Sequence, residues 1–151
     1  MTEDNVPDIG LDLENFLPYL VDQFMATWNG RLDERLRAAG IRFEQWRVLL
    51  VTSQIGPMNI RELSAATLVP YSTLGRWLEK LEQDGLVQRR SRPRDGRAVE
   101  IFITEAGRRR FAEIYPIAAA EYQEALVGLS VVEHAALLHF IHRLRRNIGM
   151  E

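Results

Sequence analysis

Residues 59–104 carry three apolar patterns in succession, and their order does most to restrict the fold. Asn59-Ile60-Arg61-Glu62 has the form of a capping box. Asn59 would accept from the backbone of Glu62, and the Glu62 carboxylate would reach back to Asn59. The box opens a short helix through Leu63 to Thr67. After a turn at Leu68-Val69-Pro70, a second helix runs from Tyr71 to Asp84. Its apolar positions Leu74, Trp77, Leu78 and Leu81 repeat at helical spacing. Gly85 is its stop, with Leu86 placed to fold back over the last turn. The period then drops to two. Leu86–Arg92 and Arg97–Ile103 read as strands around Pro93-Arg94-Asp95-Gly96, with Asp95-Gly96 supplying the turn chemistry. Val99, Ile101 and Ile103 alternate with Ala98, Glu100 and Phe102, as a half-buried strand requires. Two short helices joined by a tight turn and followed by a hairpin predict a helix-turn-helix carrying a β wing.

Helices flank this unit on both sides. The stripe Phe16, Leu17, Leu20, Val21, Phe24, Trp28, Leu32 and Leu36 describes a long amphipathic helix. Asn15 is placed to cap it, Pro18 sits near its start and Gly40 ends it. A second helix spans about Phe43 to Ile55 and breaks at Gly56-Pro57. Thr104 can cap a helix from Glu105 to about Val127, which Pro116 should bend. Ser130-Val131-Val132-Glu133 is another capping box and opens a last helix to about Ile148. The expected fold is mainly α with a small β-hairpin wing (α+β), a winged helix-turn-helix between N- and C-terminal dimerisation helices. The expected organisation is a flexible acidic tail (1–12), an N-terminal dimerisation helix (13–39), a DNA-binding lobe (40–104) and C-terminal dimerisation helices (105–151). The flanks present more apolar stripe than one winged helix can cover, and two-fold assembly is the commonest remedy. Leu13, Phe16, Leu17, Leu20, Leu137, Ile141, Leu144 and Ile148 are the expected interface.

Composition narrows the chemistry. At 46% hydrophobic and 26% charged, the 151-residue chain fits an ordered globular protein. It has no cysteine, which excludes disulfides, thiolate metal sites and thiol switches. No apolar run is long enough to span a membrane, and no stretch reads as a signal peptide, so a cytoplasmic location is expected. Net charge is −2, but its distribution is uneven. Residues 1–24 hold six acids and no base, whereas residues 85–97 hold five arginines against Asp95 alone. Such a stripe suits phosphate, although a solvated hairpin with charged flanks would carry it too.

The assembled motifs become specific when taken together. Leu63-Ser64 through Leu68, Ser72-Thr73-Leu74, Leu81-Glu82-Gln83-Asp84-Gly85-Leu86-Val87-Gln88-Arg89, Asp95-Gly96-Arg97-Ala98 and Ile103-Thr104-Glu105-Ala106-Gly107 resemble the multiple-antibiotic-resistance regulator (MarR) family over roughly residues 13–148. The resemblance implies a homodimeric DNA-binding regulator, usually a repressor, often released by a small aromatic or phenolic ligand. It also implies that Asp95 holds Arg97 or Arg94 in position, where an ordinary turn aspartate is the alternative. Gly75 departs from the polar residue usual in the family at that position.

The residues support the same interface independently. With Leu74, Trp77, Leu78 and Leu81 turned to the core, Tyr71, Ser72, Thr73, Arg76 and Lys80 lie on arcs that can face a major groove. Arg76 has the fork that grips a guanine O6 and N7, and an ion pair with Glu79 is its plain alternative. Trp77 shares the leucine stripe and is expected in the core rather than on a base. Arg97, next to the turn, can enter a narrow minor groove. Arg89, Arg90, Arg92 and Arg94 are phosphate candidates, though alternation prevents all of them from facing one side. Asn59 and Arg61 stand where phosphate could meet free helix N–H groups.

Phe24, Trp28, Trp46 and Leu50, with Arg31 and Arg47 as carboxylate partners, could line a site for an aromatic anion, or could simply be core and solvated arginine. His134, His139 and His142 fall on the last helix without a clear carboxylate partner, so no metal and no cofactor is expected. There is no Gly-rich phosphate loop, nucleophile elbow or HExxH, and an enzyme is not expected. A small-molecule-binding enzyme and a winged-helix module used only for protein contacts remain the alternatives to a regulator. The expected partners are double-stranded DNA with an inverted-repeat operator, a second copy of the chain and a small aromatic anion, with no membrane.

Overall fold

A computed structural model describes the backbone of residues 10, 12–92 and 95–150, and the side chains of these residues other than 92 and 95–98. The expected tail at residues 1–9 and 11 lies outside the described residues. The elements are α1 (Leu17–Ala38), α2 (Phe43–Gln54), β1 (Met58–Asn59), α3 (Ile60–Thr67), α4 (Tyr71–Gln83), β2 (Val87–Arg92), β3 (Asp95–Ile103), α5 (Glu105–Ala125) and α6 (Val131–Asn147). The chain is mainly helical with one small antiparallel sheet, as its patterning requires. Residues up to Ile117 form one compact unit and residues from Ala118 a second.

In the first unit α2 packs against α1, α3, α4 and β3. The helical periods place Leu32 and Leu36 of α1, Val48 and Leu49 of α2, Leu63 of α3, and Leu74, Leu78 and Leu81 of α4 entirely out of solvent. Burial of each such side chain contributes about 1.5–3 kcal/mol. The sheet closes one side of this core in the order β1-β3-β2. Register pairs Val87 with Ile103 and Arg89 with Ile101, and the buried Val87, Ile101 and Ile103 share the inner face.

Three local expectations change. Asn15 does not cap α1: Phe16 is the N-cap residue, no side chain caps it, and the Asn15 amide donates to the Asp12 carboxylate. Pro18 in the first turn already lacks an N–H to satisfy, which lowers the need for a capping side chain. The turn does not fall on Asp95-Gly96, because both residues lie in β3 and Asp95 pairs with Arg92 after a register shift. A third strand, β1, adds to the expected hairpin, with Met58 and Asn59 paired with Ile101 and Glu100.

The α1–α2 corner depends on one carboxylate. The Phe43 N–H donates to Asp33 Oδ1 at 3.2 Å, and Arg37 pairs with Oδ2 at 2.5 Å. Burial pushes the Asp33 carboxyl up. The Arg37 and Phe43 hydrogen bonds and the charges of Arg37 and Arg42 outweigh it and hold the group below its ordinary value. A lowered carboxylate pKa contributes stability above the unfolded pKa and loses it as pH falls through the folded one. Asp33→Asn is therefore expected to reduce stability at neutral pH and to flatten its acid dependence below about pH 4, the usual Asp range. Parallel denaturation curves at neutral and acid pH test this. An unchanged acid limb would remove Asp33 from the corner's electrostatics.

In the second unit α6 starts on its capping box. Glu133 N–H donates to Ser130 Oγ at 3.3 Å, and Ser130 N–H donates to the Glu133 carboxylate at 2.8 Å. Tyr122 Oη and His134 Nε2 are 2.7 Å apart and join α5 to α6. No residue of α6 is buried.

Candidate nucleic-acid interface

The corner between α3 and α4 sets the direction of α4, and side chains lock it. Asn59 Oδ1 accepts from the Arg61 and Glu62 N–H groups at 2.9 and 3.0 Å, and Glu62 returns to Asn59 N at 2.9 Å. The Asn59 oxygen is thus committed to the helix, and only its amide nitrogen is available to a phosphate. Leu68 turns the chain at φ +56 with its side chain exposed. Thr67 Oγ1 donates to Leu63 O at 2.6 Å and accepts from Val69 N at 3.3 Å, while Ser64 Oγ donates to Val69 O at 2.7 Å. These bonds hold a backbone conformation that a leucine rarely adopts.

Beyond the corner, Tyr71, Ser72, Arg76 and Lys80 are exposed on α4 and Thr73 is half-buried. Arg61, Ser64 and Tyr71 line a cleft of about 380 Å³. The Arg76 guanidinium lies over the Trp77 ring, 5.0 Å from its centroid, so its partner is the indole rather than Glu79. Trp77 is only half-buried, unlike the leucines with which it shares the stripe. Lys80 pairs with Asp84 at 2.6 Å along the helix surface.

The wing root is fastened to α4. Gly85 ends the helix at φ +70, a conformation open to glycine, with Gly85 N–H on Glu82 O at 2.9 Å and Leu86 N–H on Leu81 O at 2.8 Å. Glu82 then receives Arg89 twice, from the backbone N–H at 3.1 Å and from Nη1 at 3.0 Å. Arg89 therefore ties β2 to α4, a role that spacing alone did not reveal. Thr104 Oγ1 donates to Gly85 O at 2.6 Å and caps α5 by accepting from Gly107 N at 3.0 Å. On the opposite face of the hairpin, Arg90 lies over Phe102 at 5.1 Å and across from Glu100. Arg94 and the side chains of Arg92, Asp95 and Arg97 lie outside the described residues.

The six residues expected to hold an anion occupy different surroundings. Phe24 and Arg31 are exposed on α1, Trp28 and Leu50 are half-buried, and Trp46 belongs to the core. Arg47 is half-buried with its guanidinium over Phe43 at 5.2 Å, and burial lowers its pKa. Among the expected interface residues, Leu13, Phe16, Leu17, Leu20, Leu137, Leu144 and Ile148 are exposed and Ile141 is half-buried. Among the described residues there is no group of three or more side chains fit to hold a metal, and no helix long and apolar enough to cross a membrane.

The MarR family model matches residues 39–98, from the end of α1 into the wing. The chain is 23% identical over 135 residues to the HTH-type transcriptional repressor IacR of Pseudomonas putida, covering 89% of this chain and 81% of that protein. A MarR-family transcriptional regulator of Silicibacter pomeroyi has the same fold with a TM-score of 0.83 and 28% identity, covering 93% of this chain and 94% of its own. The transcriptional regulator PA3341 is 31% identical with a TM-score of 0.79, over 88% of this chain and 98% of its own.

Proposed function

This chain belongs to the MarR family of transcriptional regulators, and we propose that it acts in the cytoplasm as a homodimeric, sequence-specific DNA-binding repressor. The observation that carries this is the outer surface of α4. Its inner leucines are sealed in the core, while Tyr71, Ser72 and Arg76 stand exposed at its N-terminal half, beside a wing rich in arginine. An α-helix fits the major groove, and its N-terminal residues reach base edges. Arg61 and Arg90 would meet phosphates, and Arg97 would enter the minor groove. Dimerisation is supported by apolar surface left exposed: Leu17, Leu20 and Phe24 of α1 are exposed, and no residue of α6 is fully buried. The name of the Pseudomonas relative supports repression rather than activation.

A shift assay across salt tests DNA binding. Each phosphate neutralised releases counterions, so affinity for duplex DNA should fall steeply as salt rises. A protein-contact module would show a flat response, and that result would overturn the proposal.

Release by a small aromatic anion is part of the same proposal, supported by Trp28, Arg47 and the family. An effector acts only by preferring the dimer geometry that misfits DNA, and a coupling of ~1–3 kcal/mol weakens binding roughly 5–150-fold. Titrating benzoate-like and phenolic acids into the complex should release DNA, and Arg47→Ala should blunt the response. Release that is unchanged in Arg47→Ala would place the site elsewhere.

A further inference from the structure

We infer that Trp77 is a positioning residue for DNA readout. Its indole face holds the Arg76 guanidinium at the outer surface of α4, an inference that rests on α4 being the helix that enters the groove. The Arg76 Cζ stands 5.0 Å from the Trp77 centroid, within cation–π range. Leu74, Leu78 and Leu81 on the same helix are fully buried, whereas Trp77 is half-buried. The Trp77 Nε1 is buried and finds no hydrogen-bond partner among the described residues. What distinguishes Trp77 is the π-face it offers to the neighbouring cation.

The chemistry suits readout. A guanidinium over a ring face can keep its N–H donors available to the two acceptors of a guanine edge. Both side chains belong to α4, so the contact needs no second element. It restricts a long side chain before DNA arrives, which lowers the ordering cost of binding.

The test is a double-mutant cycle on a duplex selected from a random library by the unchanged protein. R76A is expected to lose about 5–150-fold, the range for one bidentate guanine contact. W77L is expected to lose roughly 3–10-fold, confined to the base pair that R76A identifies, and W77F to recover part of the loss because phenylalanine keeps a ring face. In the R76A background W77L should cost nothing further. Thermal melting follows folding, and W77F with and without R76A gives the same cycle if W77L misfolds. Equal losses from W77L in both backgrounds, losses spread over every base pair, or unchanged or tighter binding by W77L would overturn the positioning role. If R76A itself binds like the unchanged protein, the assignment of α4 falls and the role of Trp77 falls with it. If R76A loses discrimination while W77L does not, only the role of Trp77 is overturned.

Discussion

Replacing Leu137 and Leu144 together by aspartate is expected to convert the protein to a monomer at micromolar concentration and to weaken operator binding at least about 100-fold. The two residues lie seven apart on α6, on one face with the half-buried Ile141 between them, and both are exposed on a helix with no fully buried residue. An isolated helix of 17 residues is marginal in water, and its stability in a protein comes from burying its apolar face. In a two-fold interface each substitution acts twice, so four carboxylates would enter an apolar surface without partners. A monomer then engages one half-site, and the second loses the high local concentration that linkage supplies. Sedimentation and a shift assay on the same samples test both consequences. A variant that remains dimeric would remove α6 from the interface.

Gly107→Ala is expected to destabilise the first unit by about 3 kcal/mol or more, and to lower Tm by roughly 6–12 °C. A Cβ at position 107 would stand 2.1 Å from the Leu86 carbonyl oxygen and 2.7 Å from Ile103 Cγ1. The oxygen belongs to backbone that cannot move alone: Leu86 O accepts from Thr104 N at 3.0 Å, and Leu86 N–H is bonded to the end of α4. Relief of the clash must therefore shift α5 away from the wing root or disturb the Thr104 cap. The same substitution at Gly75 meets nothing within 4 Å, and there it should stabilise the helix by about 1 kcal/mol. Opposite signs from one chemical change at two helical glycines is the expected result in a melting experiment. Equal small effects at both positions would show that α5 does not approach Leu86 this closely.

The contrast between these glycines shows where sequence was informative. Capping boxes at Asn59 and Ser130, the Gly85 stop and the Thr104 cap are local devices, complete within a few residues, and all are present. The periods of 3.6 and 2 placed the α4 leucines and the inner face of β3 correctly, because burial of one face dictates both. What escaped was non-local or too short to show a period. Two residues, Met58 and Asn59, make a strand only because β3 offers its free edge. Arg89 pairs with Glu82, which lies on another element and so cannot be read from local spacing. Lys80 is held by Asp84, an i,i+4 pair that spacing could have signalled. Trp77 has helical spacing like its leucine neighbours, but a ring too large for the core leaves one part outside, where Arg76 lies.

In the proposed complex two copies of α4 reach successive grooves of one duplex, related by a dyad. A hydroxyl-radical footprint of the purified protein on a duplex selected from random sequence tests it most directly. Two protected half-sites are expected, inverted relative to each other, with centres roughly 10 base pairs apart or a small multiple of that. A single asymmetric half-site held by one protomer, or no protection on any selected duplex, would contradict it.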